Sequence, residues 1–185
     1  MTHPLMEAIA VGLGEQGIAT LRFQFPYRES GSRRPDPPAL CHASVRAAVE
    51  QAARLSHGLP LIAGGRSFGG RMSSQAQAKS ALPGVRGLAF VGFPLHPAGR
   101  PSQERAQHLL ELEIPMLFLQ GTRDALAELS LLRELATQLG SRATLSLIQD
   151  ADHSFHVPAR SGRKDSQVAD ALVQSLANWI QAVIA

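Results

Sequence analysis

Residues 59–70 read Leu-Pro-Leu-Ile-Ala-Gly-Gly-Arg-Ser-Phe-Gly-Gly, and no other stretch restricts the fold as much. A short apolar run stops at a serine, Ser67, flanked by Gly65 and Gly69. A helix-compatible segment, residues 71–82, follows at once. The order strand, sharp turn, helix is the setting in which G-x-S-x-G presents its serine on an exposed elbow. Such a turn strains the serine backbone and crowds its neighbours. Gly65 and Gly69 are therefore expected to let strand and helix approach without a Cβ. The pentapeptide alone specifies little, because a plain glycine-rich loop has the same composition. Its position between an apolar run and a helix favours the elbow.

The rest of the chain alternates in the same way. Residues 4–16 read as a helix with Leu5, Ile9, Gly12 and Leu13 on one face and Gly17 as its stop. Residues 18–25 read as a strand, and 26–38 as a loop dense in Pro, Arg, Ser and Gly. Residues 39–55 carry a helical stripe of Val45, Ala48, Val49 and Ala52. Strands are expected over 59–64, 87–92, 114–120 and 143–148. Helices are expected over 102–112 (with Ser102 as N-cap), 126–139 and 165–184, and a proline-rich loop over 93–101. The five apolar runs are too continuous for one-sided antiparallel strands, whereas strands covered on both faces look like this. The expected fold class is α/β, with a mainly parallel sheet of about five strands flanked by helices. With 185 residues, no repeat and no low-complexity tract, one domain spanning 1–185 is expected.

Charge and cysteine usage narrow the function classes. The formal charge is only +3, and the arginines are scattered, with Arg33-Arg34 the only adjacent pair of them. That is no basic stripe for nucleic acid. Cys41 is the only cysteine, so no internal disulfide can form. With no membrane-length apolar run and no signal-like N-terminus, a cytoplasmic location is expected. No metal-ligand cluster or phosphate-binding fingerprint stands out. Gly12-x-Gly14 lies within a helix and lacks the third glycine, so no cofactor is expected. Oligomeric state is left open by the sequence.

A serine hydroxyl needs a general base, usually histidine, and a third group to hold that base. In an α/β sheet these groups belong in loops beyond the carboxyl ends of strands, in the order serine, acid, histidine. Asp124 follows the 114–120 strand through Gly121-Thr122-Arg123. It serves as the acid candidate, with an N-cap for the next helix as its alternative role. His153, just past the last strand, is the base candidate, and His156 competes with it. Asp150 and Asp152 are alternative acids, ranked below Asp124 for their closeness in sequence to His153. His96 sits in a strand-end loop and could line a pocket.

Taken together, Phe25-Pro26-Tyr27, Gly65 to Gly69, Gly92-Phe93-Pro94-Leu95-His96-Pro97, Gly121-Thr122-Arg123-Asp124 and Asp152-His153-Ser154-Phe155 carry a resemblance. The chain resembles the α/β-hydrolase superfamily over essentially its whole length. More narrowly, it resembles the small lid-free hydrolases grouped with dienelactone hydrolases. The resemblance implies a Ser67, His153, Asp124 triad acting on an ester or similar acyl bond of a small molecule, most simply as a carboxylesterase. A thioesterase or amidase uses the same groups, and the alternative from another class is a non-catalytic binding or scaffold protein on the same fold. The Phe68 N–H, placed by the elbow directly after Ser67, is the expected oxyanion donor. Only residues 93–113 fill the interval where a lid would insert, so an open site is expected. One feature departs from the family pattern: the strand and Gly-rich loop that usually precede the first helix, and supply a second oxyanion donor, are absent ahead of residues 4–16. The expectation is that the functional protein extends upstream of Met1 and supplies both.

Overall fold

Four of the apolar runs pair into one parallel sheet in the computed structural model, which describes residues 3–185. The strands are β1 (Leu61–Arg66), β2 (Val85–Val91), β3 (Met116–Gly121) and β4 (Ala143–Ile148), ordered β1-β2-β3-β4. Every pairing is parallel. Strand residues alternate between the two faces, and both faces are buried at the centre. Leu88, Phe90, Met116 and Phe118 join one core with Val45, Met72 and Leu132. Ala89, Val91, Leu117 and Leu119 join the other with Ile9, Leu13, Leu172 and Trp179.

Helices cover each face. The first core is closed by α3 (Pro38–Leu55), α4 (Phe68–Lys79) and α5 (Leu129–Leu139). The second is closed by α1 (Pro4–Glu15) and α6 (Asp165–Ile184). The four-residue spacing of Ile9 and Leu13, and of Val168, Leu172 and Leu176, puts each set on the buried side of its helix. Pro4, Pro26 and Pro38 each open a helix, where a missing N–H leaves nothing unsatisfied.

Five segments differ from the pattern expected of the sequence. Residues 18–25 form no helix and belong to no ladder, so the described sheet has four strands rather than five. An apolar run becomes a strand only where a neighbour accepts its backbone, and a groove of about 280 Å³ lies between this segment and β1. Residues 102–112 are not an α-helix; a 3-10 segment, Glu104–Glu111, replaces it. Ser102 Oγ accepts the Glu104 N–H, and Arg142 draws out the Leu110 and Leu112 carbonyls, which holds the piece in a tight winding. The post-elbow helix starts at Phe68, directly after Ser67, and not at Arg71. The next helix starts at Leu129 rather than 126, because residues 124–128 form a tied-down turn. Finally, the 26–38 loop contains one helical turn, α2 (Pro26–Glu29).

Candidate active site

Ser67 sits between β1 and α4 with φ +50° and ψ −117°, a conformation that L-residues rarely hold. Its N–H bonds to the Val91 carbonyl at 3.0 Å, and its own carbonyl accepts the Arg71 N–H, so β2 and the first helical turn both pin the backbone. The close approach around it is made by Gly65 and Gly70. A Cβ on Gly65 would stand 3.2 Å from the Gly69 backbone, and one on Gly70 would stand 2.7 Å from the Gly65 carbonyl oxygen. A Cβ on Gly69 meets nothing within 4 Å. The steric demand expected of Gly69 therefore falls on Gly70, one residue beyond the pentapeptide.

The three residues singled out as candidates converge. His153 Nε2 lies 2.8 Å from Ser67 Oγ, and His153 Nδ1 lies 2.7 Å from Asp124 Oδ2. A neutral imidazole donates from one nitrogen only; Nδ1–H donating to the carboxylate leaves Nε2 to accept from the serine hydroxyl. The Asp124 side chain is fully buried, whereas the His153 side chain keeps 21% of its surface exposed. The relay thus runs from a closed acid to an accessible serine.

Asp124 is held from several sides. Its Oδ1 accepts the Leu126 N–H at 2.8 Å, and its Oδ2 accepts a short hydrogen bond from Gln120 Nε2. The N-cap role weighed for Asp124 is not taken up, since α5 starts at Leu129 with Glu128 at its N-cap; Asp124 instead ties the turn that leads to it. Gln120, fully buried near the end of β3, also accepts the Phe93 N–H at 2.8 Å. It ties the acid to the loop after β2. Sequence reading missed Gln120; a polar residue closing an otherwise apolar strand run was the available signal. Gly121 is a third enabling glycine: a Cβ there would run into the Ala151 carbonyl oxygen, so only glycine lets the Asp124 and His153 loops meet.

The competing residues are occupied elsewhere. His156 lies outside the relay, exposed, with Nδ1 2.9 Å from Asp165 Oδ2. That hydrogen bond lifts the His156 pKa above the ordinary imidazole value and lowers that of Asp165. Asp152 Oδ1 accepts the Ser154 and His156 N–H groups at 2.7 and 3.0 Å, so it shapes the His153 loop. Asp150 takes a positive φ at the turn after β4, and its N–H donates to Thr122 Oγ1. His96 is buried, donates from Nδ1 to the Pro97 carbonyl and accepts the Glu128 N–H at Nε2. It fastens two loops together rather than lining a pocket.

Around the elbow, Phe68 packs edge-on against Phe25 and Tyr27, which themselves stack. The Phe68 N–H is the first amide of α4, one of the helix-start donors that have no intrahelical acceptor. Arg66 Nη2 reaches the His153 carbonyl at 3.4 Å. Burial lowers the Arg66 pKa while Asp124 and Asp152 raise it. Among the described residues, no group of three or more His, Cys, Asp or Glu side chains is arranged to hold a metal ion. No helix among them is long and apolar enough to cross a membrane.

A parallel sheet, a serine on a strand–helix elbow and strand-end loops that bring His and Asp to it define an α/β-hydrolase arrangement. The family described as "Alpha/beta hydrolase domain" matches residues 1–181, and the chain belongs to it. Its fold is shared with an alpha-beta serine hydrolase homologue from Coxiella burnetii (TM-score 0.75, 22% identity, 96% of this chain and 78% of that one). A serine hydrolase without lid from Xanthomonas campestris gives 0.72 and 24%, over 97% and 75% of the two chains. A dienelactone hydrolase from Anabaena variabilis gives 0.74 and 19%, over 98% and 80%. The chain is a hydrolase of this superfamily.

Proposed function

We propose that the protein is a serine hydrolase that cleaves an ester or similar acyl bond of a small molecule, most simply as a carboxylesterase. The observation that carries this reading is the unbroken relay from Ser67 Oγ through His153 to buried Asp124, at 2.8 and 2.7 Å. Ser67 Oγ attacks the acyl carbon while His153 Nε2 takes its proton. The Asp124 carboxylate faces the Nδ1–H and steadies the imidazolium that forms. The oxyanion of the tetrahedral intermediate falls to the Phe68 N–H and the positive end of α4. His153 then returns the proton to the leaving alcohol, giving an acyl-Ser67. Water, deprotonated by the same nitrogen, releases the acid.

The test is labelling by a fluorophosphonate probe, together with hydrolysis of a short-chain p-nitrophenyl ester. Labelling is expected at Ser67 alone and is expected to vanish in Ser67→Ala, with the circular dichroism spectrum unchanged. Equal labelling of folded Ser67→Ala would overturn the assignment.

A further inference from the structure

Arg66 links the serine of the elbow to the loop that carries His153. It is the last residue of β1 and is peptide-bonded to Ser67. Side chains alternate between the two faces of a strand, so Arg66 lies on the face of Ile62, which packs with α1 and α6. Its register partner is Val91, which belongs to the same core as Phe155. The His153 loop, between β4 and α6, covers this end of the core, and the half-buried Arg66 side chain meets it there. Nη2 donates to the His153 carbonyl at 3.4 Å and to Ser154 Oγ at 3.5 Å.

The guanidinium completes no ion pair. The charges of Asp124 and Asp152 act on it, yet both carboxylates are committed elsewhere. Asp124 accepts from Leu126, Gln120 and His153, and Asp152 Oδ1 accepts the Ser154 and His156 N–H groups. Among the described residues the ion pairs are His153–Asp124 and His156–Asp165, and neither includes Arg66. Arg66 Nε is buried without a hydrogen-bond partner. A buried donor left unpaired is costly, so the placement of this side chain follows from what Nη2 holds.

The His153 loop is shaped by its own hydrogen bonds. The Phe155 N–H donates to the Asp152 carbonyl, and the Asp152 N–H to the His156 carbonyl. The Arg123 N–H, donating to the Ala151 carbonyl, fastens the loop to the turn that carries Asp124. Toward the elbow its hydrogen bonds are the Ser67–His153 contact and the two from Arg66. The first of these is lost whenever Ser67 Oγ is acylated, since the hydroxyl proton has left. The imidazole must nevertheless stay in reach of that oxygen to activate water.

We propose that Arg66 is a positioning residue for the base: its guanidinium clamps the His153–Ser154 segment to the end of β1 and so holds His153 Nε2 in reach of Ser67 Oγ. The inference rests on the reading of Ser67, His153 and Asp124 as a hydrolytic relay.

The experiment compares the unmodified protein with Arg66→Met, which keeps an unbranched stem without charge or donor, and Arg66→Lys, which keeps a charged donor. Two quantities are measured: hydrolysis of p-nitrophenyl acetate, and water exchange of the downfield His153 Nδ1 proton, assigned by its loss in His153→Ala. In Arg66→Met, kcat is expected to fall about 10- to 100-fold, as for a misplaced catalytic group, with KM changed less than about threefold. Its Nδ1 proton is expected to exchange at least about tenfold faster. Arg66→Lys is expected to fall between the two proteins on both measures. Unchanged kcat or unchanged exchange in Arg66→Met would overturn the proposal. So would an Arg66→Lys variant as impaired as Arg66→Met, because packing by the stem would then be the cause. Should Arg66→Met fail to fold, the unmodified protein decides. Its Arg66 guanidinium protons, assigned by their loss in Arg66→Lys, are expected to exchange slowly, and rapid exchange would overturn the clamp. Absence of ester hydrolysis by the unmodified protein would instead overturn the proposed activity, and the exchange comparison would still decide on the clamp.

Discussion

Asp124 shows how much one residue's role depends on its partners. Its carboxylate spends one oxygen on the Leu126 N–H and the other on His153 Nδ1 and Gln120 Nε2. Asp124→Asn keeps the volume but can present an N–H toward Nδ1, which favours the wrong imidazole tautomer. We expect ester turnover to fall roughly 10⁴-fold with little change in unfolding temperature. His153→Ala is expected to lose roughly 10⁴- to 10⁶-fold, and His156→Ala less than about threefold, because His156 pairs with Asp165 at the surface. A comparison of kcat/KM for the two histidine variants decides this; the reverse ranking would move the base to His156. Gln120→Leu leaves the acid one hydrogen bond short and the Phe93 N–H without its acceptor. A loss of about 1–3 kcal/mol in unfolding free energy is expected by urea titration.

At the scale of elements, the elbow is a contact between a strand end and a helix start, and its tightness is unequally shared. Gly70→Ala would press a methyl group against the Gly65 carbonyl and within 3.2 Å of the Phe90 ring. It is expected to destabilise by about 1–3 kcal/mol and to lower activity by displacing Ser67. Gly69→Ala points into open space from the first turn of α4 and is expected to be neutral or to stabilise by up to about 1 kcal/mol. Thermal unfolding of the two variants reads the difference directly; equal melting temperatures would mean that the elbow is looser than drawn. Residues 18–25 make the complementary point. Their pattern reads as a strand, yet no ladder forms. A strand is a property of a pair, and the sequence of one member does not contain the other.

Across the whole molecule, stability in acid is tied to a histidine far from the relay in sequence. His108 packs against α4 with Nε2 2.8 Å from Ser74 Oγ. Burial first, and then the charges of Arg71 and His42, push its pKa down to about 4. Its unfolded value is about 6.5, so between those values the unfolded chain binds a proton that the folded chain refuses. Stability must therefore fall as pH drops through that window. After allowance for its partial exposure, the loss is expected to be about 1–2 kcal/mol between pH 7 and pH 4.5. In His108→Gln the urea midpoint should change less over the same range. An identical pH slope in the variant would remove His108 as the cause.

The sequence by itself was sufficient for what depends on neighbours along the chain. Continuous apolar runs marked the four paired strands, apolar periodicity marked the helices over 4–16 and 39–55, and glycines around Ser67 marked the turn that strains it. The order of serine, acid and histidine also singled out Ser67, Asp124 and His153 as candidates, with His156 as a competitor. Only the tertiary structure showed that His153 and His156, three residues apart, face different carboxylates. It alone gave Gln120 its role and moved the steric demand from Gly69 to Gly70. It also left residues 18–25 outside the sheet. Each of these outcomes is set by a group distant in sequence, through a hydrogen bond, a close approach or a strand edge, and local pattern carries no record of such partners.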